Sequence, residues 1–324
     1  MDVVYNFRMP LPDPTLSAFL FPGQGSQKVG MGKELSAAYP EARAVFDEGD
    51  EILGFALSKV CWKGTEAELN DTINTQPALM VHSVAALRVF QKLYPDFTPA
   101  FVAGHSMGEL SALVAAGALP YPSALRLVRR RGELMKQAGE KNPGGMAAIL
   151  GLDIPGVEAA CTSASTEGEV VQVANDNSPG QVVISGHKAA VERAMQAAKE
   201  AGAKRALPLA VSIAAHSPLM ASAQEEFYHA VVLAPIKDAE IPLIGNVDAM
   251  PIKDEVDLGA DLQGQLTKRV RWTESILAMR QAGVITFIEL GTGSVLTGLL
   301  KRIDAEALGV ALGEPGDFEK FSSQ

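Results

Sequence analysis

Residues 101–116 read FVAGHSMGELSALVAA. An apolar stretch of strand length, Ala100–Ala103, runs into Gly104-His105-Ser106-Met107-Gly108, and a helical run from Glu109 to Ala116 begins at once. The pentapeptide has the G-x-S-x-G form, in which small residues flanking a serine let the chain turn sharply from strand into helix. A serine on such a turn stands at a helix N-terminus, where free backbone N–H groups can receive an oxyanion. Ser106 is therefore the candidate nucleophile, and the Met107 N–H a candidate oxyanion donor.

Two further strands end the same way. Ala18–Phe21 runs into PGQGSQ, and Thr286–Leu290 into GTGS ahead of the helical run VLTGLLKRI at 295–303. Apolar strands that alternate with helical segments predict an α/β fold with a largely parallel sheet, and ligand sites in such sheets gather at the strand ends. The middle of the chain breaks this rhythm. Met146–Leu150 reads as strand, Gly156–Ser163 as helix, Val170–Ala174 as strand, residues 175–180 (NDNSPG) as turn, Gln181–Ser185 as strand, His187–Ala201 as helix and Arg205–Val211 as strand. That β-α-β-β-α-β order predicts a ferredoxin-like small domain at residues 142–211, inserted into a discontinuous α/β-hydrolase-like domain of residues 1–141 and 212–324. Asn142-Pro143-Gly144-Gly145 reads as the hinge between them.

Composition narrows the partners. The 324 residues are 47% apolar, enough for a substantial core, and 28 basic against 38 acidic side chains give a net charge of -10. No domain-wide basic field exists to hold nucleic acid or an anionic membrane. The most apolar stretch, Phe101–Leu119, is interrupted by His105, Glu109 and several glycines, so it does not read as a membrane span. Two cysteines, Cys61 and Cys161, suit neither a disulfide framework nor a four-ligand metal site. The N-terminal MDVVYNFRMPLPDPTLS reads as a loose leader rather than a signal peptide, and a cytoplasmic protein is expected.

A serine nucleophile needs a base within hydrogen-bond reach. Of the five histidines, His105 neighbours the serine and should project away from it. His82 and His229 lie in helical segments, and His187 opens a helix. His216 remains, in the SIAAHSP loop ahead of a helix start at Ser217-Pro218. Spacing selects no acidic third member, so a backbone carbonyl is an alternative means of orienting the imidazole.

The run from Ala124 to Lys136 is helical. Turned at about 100° per residue, it gathers Leu125, Leu127, Val128, Leu134 and Met135 on one face and Arg126, Arg129, Arg130, Glu133 and Lys136 on the other. Arg131 falls at about 240°, within the apolar face. A guanidinium there requires partners. It either closes an internal salt bridge or waits for a substrate carboxylate, which it can grip through two parallel hydrogen bonds.

FPGQGSQ at 21–27, GHSMGE at 104–109, RRRGELM at 129–135, NSPGQVVISG at 177–186, AKRALPL at 203–209 and VLTGLLKRI at 295–303 occur in one order along the chain. Together they closely resemble the malonyl-CoA:acyl-carrier-protein transacylases of bacterial type II fatty-acid synthesis, relatives of polyketide-synthase acyltransferase domains. The resemblance implies acylation of Ser106 with His216 as base, its imidazole held by the main-chain carbonyl of Gln265. It implies Arg131 as the binder of the malonyl carboxylate and Gln24 with the Met107 N–H as oxyanion donors. His105, Asn175 and Gln181 are implied as cleft-lining residues, and Lys204 and Arg205 as holders of CoA phosphates or of an acidic carrier protein. The implied partners are malonyl-CoA and acyl carrier protein, with no cofactor. Lys268, Arg269 and Arg271 extend the basic cluster. Ala215 and Gly245 depart from the family pattern, where serine and asparagine respectively are expected. The G-x-S-x-G motif alone would also suit a serine hydrolase or thioesterase, and a vestigial site would leave a docking module; a trans-acting polyketide acyltransferase is the near alternative.

Overall fold

The computed structural model describes residues 11–211 and 213–323. Most of the leader assigned from sequence, residues 1–10, lies outside them. Ten strands occur among the described residues: β1 Ser17–Phe21, β2 Phe101–Gly104, β3 Gly144–Leu150, β4 Val171–Ser178, β5 Gln181–His187, β6 Arg205–Pro208, β7 Leu243–Ile244, β8 Pro251–Ile252, β9 Thr286–Leu290 and β10 Leu308–Leu312. They form a six-stranded sheet in the order β10-β9-β1-β2-β7-β8 and a four-stranded sheet in the order β4-β5-β3-β6.

In the larger sheet β10, β9, β1, β2 and β7 run parallel, and only β8 is antiparallel to its neighbour. Parallel strands joined by helical crossovers are covered on both faces, so their side chains must be apolar in both directions. β1 shows this residue by residue. Phe19 and Phe21 enter the core that contains the long buried helix Thr72–Leu93, whereas Ala18 and Leu20 enter the opposite core with Trp272, Phe287 and Leu300.

The four-stranded sheet is antiparallel throughout, with β5 and β6 flanking β3. Its order is that of a ferredoxin-like unit. Helices Ile154–Ala164 and Lys188–Glu200 supply a separate core of Val157, Ala160, Val191 and Ala194 against Ile149, Val173 and Ile184.

Three sequence expectations are corrected here. β4 continues through Ser178, so only Pro179-Gly180 forms the turn. The polar run Asn175–Ser178 stays extended because Val270 donates to Ala174 O and accepts from Asp176 N, while bulges after Val173 and Asp176 absorb the register. Gly144 and Gly145 are strand rather than hinge, paired with His187 and Gly186. A Cβ on Gly144 would lie 2.6 Å from Gly186 O and 2.6 Å from the Ala214 methyl, so close packing demands this glycine. β6 also stops earlier than expected, at Pro208.

The turn after β2 is equally crowded. A Cβ on Gly104 would sit 2.0 Å from the Gly108 carbonyl carbon, and one on Gly108 would sit 2.2 Å from Phe21 O. Backbone atoms cannot move aside, so Gly104→Ala and Gly108→Ala should each cost more than about 2 kcal/mol, seen as a lowered Tm. Gly259→Ala, in open space on the helix Glu255–Gly264, should leave Tm unchanged or slightly raised. Equal melting of all three variants would contradict this account.

Candidate active site

β2 ends at Gly104, the helix Gly108–Ala115 starts four residues later, and Ser106 occupies the bend with φ of 51°. Such left-handed backbone costs a serine about 1–2 kcal/mol and needs external support. Asn246 provides it: its Oδ1 accepts from Ser106 N at 2.8 Å and its Nδ2 donates to Gly104 O at 2.7 Å. The N–H groups of Gly108 and Glu109 bond within the turn, to His105 O and Ser106 O. Among the described residues nothing accepts from the Met107 N–H, which stays available next to the hydroxyl.

Ser106 Oγ lies 2.8 Å from His216 Nε2. His216 is buried and also has a positive φ, 57°. Its Nδ1 faces two main-chain carbonyls, Gln265 O at 2.8 Å and Lys268 O at 3.1 Å. Two carbonyl acceptors fix the proton on Nδ1 and leave Nε2 bare toward the serine. From the smaller sheet, Gln172 Nε2 donates to His216 O and to Thr267 O, tying the histidine loop to the segment that orients its ring. Burial, then the positive charge of Arg131, then His105 push the His216 pKa down to about 3.

Arg131 is 1% exposed in the helix Tyr121–Lys141. Its Nε donates to Gln265 Oε1 at 2.8 Å, Nη1 to Gln76 Oε1 at 2.8 Å and to Met135 Sδ at 3.2 Å, and Nη2 to Ser106 Oγ at 3.1 Å. None of these acceptors is a carboxylate, so of the two sequence readings the internal salt bridge is not what the fold builds. Desolvation lowers the guanidinium pKa to about 9, with Glu109 opposing the fall. The side chain is still a cation at neutral pH, held by neutral acceptors against the Ser106 hydroxyl.

Gln24 lies in the loop after β1, where its Oε1 accepts from Thr72 Oγ1; Thr72 in turn accepts from Gln76, the partner of Arg131. The same loop touches the serine turn: His105 N donates to Phe21 O, and a Cβ on Gly23 would lie 2.5 Å from His105 O. His105 Nε2 pairs with Asn177 Oδ1 at 2.8 Å, and the ring stands edge-on to Trp272. Asn177 rather than Asn175 is thus the β4 amide that reaches the serine turn; Asn175 is buried at the bridge to Val270. Gln181 opens β5 opposite Leu150, and its Oε1 accepts from Arg302 at 2.9 Å.

Lys204 and Arg205 are exposed at the start of β6, and Lys204 lines a cleft of about 600 Å³ together with Gly151, Asp153, Asp176, Ser178 and Arg302. Of the remaining basic cluster, Arg269 is ion-paired with Glu158 and Glu274, and Arg271 with Glu274. Their charge is largely spent within the chain. Cys61 and Cys161 are buried free thiols.

Sequence reasoning missed Gln76, Asn246, Asn177 and Gln172. Asn177 stands inside a motif that was singled out, and Gln76 is a polar residue ahead of an apolar helical run. Nothing local distinguishes Asn246 or Gln172.

Residues 18–310 match the acyl transferase domain family. The chain belongs to it. A malonyl CoA-acyl carrier protein transacylase of Bacillus subtilis is 47% identical over 302 residues, covering 93% of this chain and 95% of that protein. The protein of the same name from Escherichia coli K12 is 47% identical over 303 residues, covering 93% and 97%. Among solved structures, an acyl carrier protein S-malonyltransferase from Vibrio cholerae superposes with a TM-score of 0.91 at 45% identity, covering 94% of this chain and 99% of that one. A malonyl-transacylase in complex with a type II PKS acyl-carrier protein gives a TM-score of 0.91 at 41% identity, covering 95% and 99%. The acyltransferase fold of this chain is therefore a large α/β unit with a ferredoxin-like companion.

A base whose pKa is depressed is already unprotonated well below the ordinary imidazole value of about 6.5. Acylation of Ser106 should consequently show no titration step near pH 6.5 when followed from about pH 8 to pH 5 by intact mass. A step at about 6.5 would mean that the His216 ring is solvated rather than buried.

Proposed function

We propose that this acyltransferase moves a malonyl group from malonyl-CoA to the pantetheine thiol of an acyl carrier protein through a malonyl-Ser106 intermediate, supplying fatty-acid synthesis. One observation carries the reading: a buried guanidinium without a carboxylate partner donates a hydrogen bond to the nucleophile itself. A thioester held at Ser106 with a second carboxylate two bonds from its carbonyl carbon would complete the arginine's coordination. An uncharged acyl group would not.

In the first half-reaction Ser106 Oγ gives its proton to His216 Nε2 and attacks the thioester carbonyl. The tetrahedral oxyanion is received by the Met107 N–H and by the main chain at Gln24. Collapse breaks the C–S bond, and His216 returns the proton to the departing CoA sulfur. The carrier's thiol then enters, loses its proton to His216 and reverses the sequence. Gln265 O and Lys268 O hold the Nδ1–H throughout, so no acidic third residue is needed. Each step is proton and acyl transfer, and the chemistry calls for no metal or redox group.

We assign residues 142–211 as the small domain, with His105 and Asn177 lining the crevice and with Lys204, Arg205 and Arg302 offering cationic contacts for CoA phosphates or the acidic carrier. A cytoplasmic location, where CoA thioesters are made, fits the two free thiols, and no described helix is long and apolar enough to cross a membrane.

Incubation with malonyl-CoA alone should add the mass of one malonyl group, and Ser106→Ala should abolish the gain. Continuous release of free malonate without carrier would instead indicate a hydrolase. Arg131→Ala should lower malonyl acylation at least about tenfold relative to acetyl acylation, since a carboxylate deprived of its partner loses about 2–5 kcal/mol. An unchanged malonyl-to-acetyl ratio would refute the role of Arg131.

A further inference from the structure

Glu109 is the one charged residue of the helix Gly108–Ala115, in its first turn, and it is 1% exposed. Its carboxyl makes no hydrogen bond to Ser106 itself, yet both devices that shape the serine turn end on it. Its Oε1 accepts from Asn246 N at 3.1 Å, and Asn246 is the residue that clips Ser106 N and Gly104 O. Its Oε2 accepts from Gln265 Nε2. The remaining hydrogen of that amide goes to Ser106 O, at 3.2 Å, and Gln265 Oε1 accepts from Arg131 Nε.

A glutamine amide can be seated in two ways. Reversed, its NH₂ would face the guanidinium and its oxygen would face the Glu109 carboxyl, pairing donor with donor and acceptor with acceptor. Glu109 therefore decides which end of Gln265 meets Arg131. Behind it stands Asp261, 7% exposed, whose Oδ1 accepts from Val247 N and whose Oδ2 has no hydrogen-bond partner among the described residues. Burial, then the Asp261 charge, push the Glu109 carboxyl well above the usual carboxylate range, and burial raises Asp261 as well.

We propose that Glu109 is a positioning residue for acyl transfer: accepting from Asn246 N and Gln265 Nε2, it locks Gln265 with its amide oxygen toward Arg131 and so sets the preference for carboxylated over uncharged acyl groups. The inference rests on the reading of Arg131 as the site of the malonyl carboxylate.

The test is a competition between malonyl-CoA and acetyl-CoA, read as the ratio of the two acyl-enzymes by intact mass at short times. Glu109→Gln, which replaces one acceptor oxygen by a donor, should lower the malonyl-to-acetyl ratio about tenfold or more, with acetylation within about threefold of the parent. Asp261→Asn, which leaves the contacts of Glu109 with Gln265 and of Gln265 with Arg131 in place, should keep the ratio. Arg131→Ala is run beside them. A ratio that falls in Arg131→Ala but not in Glu109→Gln overturns the inference and leaves the proposed function standing; a ratio unchanged in both overturns the reading of Arg131 itself. Equal loss of malonylation and acetylation in Glu109→Gln would show a general structural role and also overturn it. Should Glu109→Gln fail to fold in a thermal melt, Gln265→Leu, which retains the main-chain carbonyl on His216, must reproduce the selective loss, and an unchanged ratio there overturns the proposal.

Discussion

A guanidinium with almost no solvent and no carboxylate beside it is an unusual thing for a fold to tolerate, and most of the site follows from how Arg131 is accommodated. Leaving such a charge bare would cost several kcal/mol. Two glutamine carbonyls, a thioether and the serine hydroxyl offset part of that cost without neutralising the charge. The remainder is a standing attraction for an anion placed beside the Ser106 hydroxyl. The same field acts on His216, where it joins burial in holding the imidazole neutral and able to accept the serine proton.

Strain is concentrated at the serine and histidine that meet in the site. Ser106 and His216 both adopt left-handed backbone, a conformation that costs about 1–3 kcal/mol at each site and persists only when the surroundings over-determine it. Asn246 supplies that constraint on the serine side by binding the backbone on both sides of His105. Gln172 and the carbonyls of Gln265 and Lys268 supply it on the histidine side. Gly104 and Gly108 belong to the same device, since each lies where another chain segment leaves no room for a Cβ.

The two sheets divide the work. The parallel sheet places the serine turn and the Gln24 loop side by side at the ends of β2 and β1. The antiparallel sheet contributes Gln172 to the histidine loop and Asn177 to His105, and it is tied down where β4 bonds with Val270. Every one of these cross-links joins residues far apart in the chain.

That distance separates what could be read from what could not. The sequence by itself determined the α/β class, the β-α-β-β-α-β insertion, the serine on its turn and the misplaced arginine, because strand and helix periods, glycine-rich turns and a charge on an apolar face are all local signals. It could not settle whether Arg131 meets an acid or waits for one, since that depends on which side chains the packed helices bring within 3 Å of it. Nor did it reveal that NDNS is strand, because the hydrogen bonds holding it extended come from Val270. Glu109 lay in full view within GHSMGE, yet its role depends on Asn246 and Gln265. Only burial of the three together turns a polar helix residue into the support of the site, because hydrogen bonds gain their directing power where water is excluded.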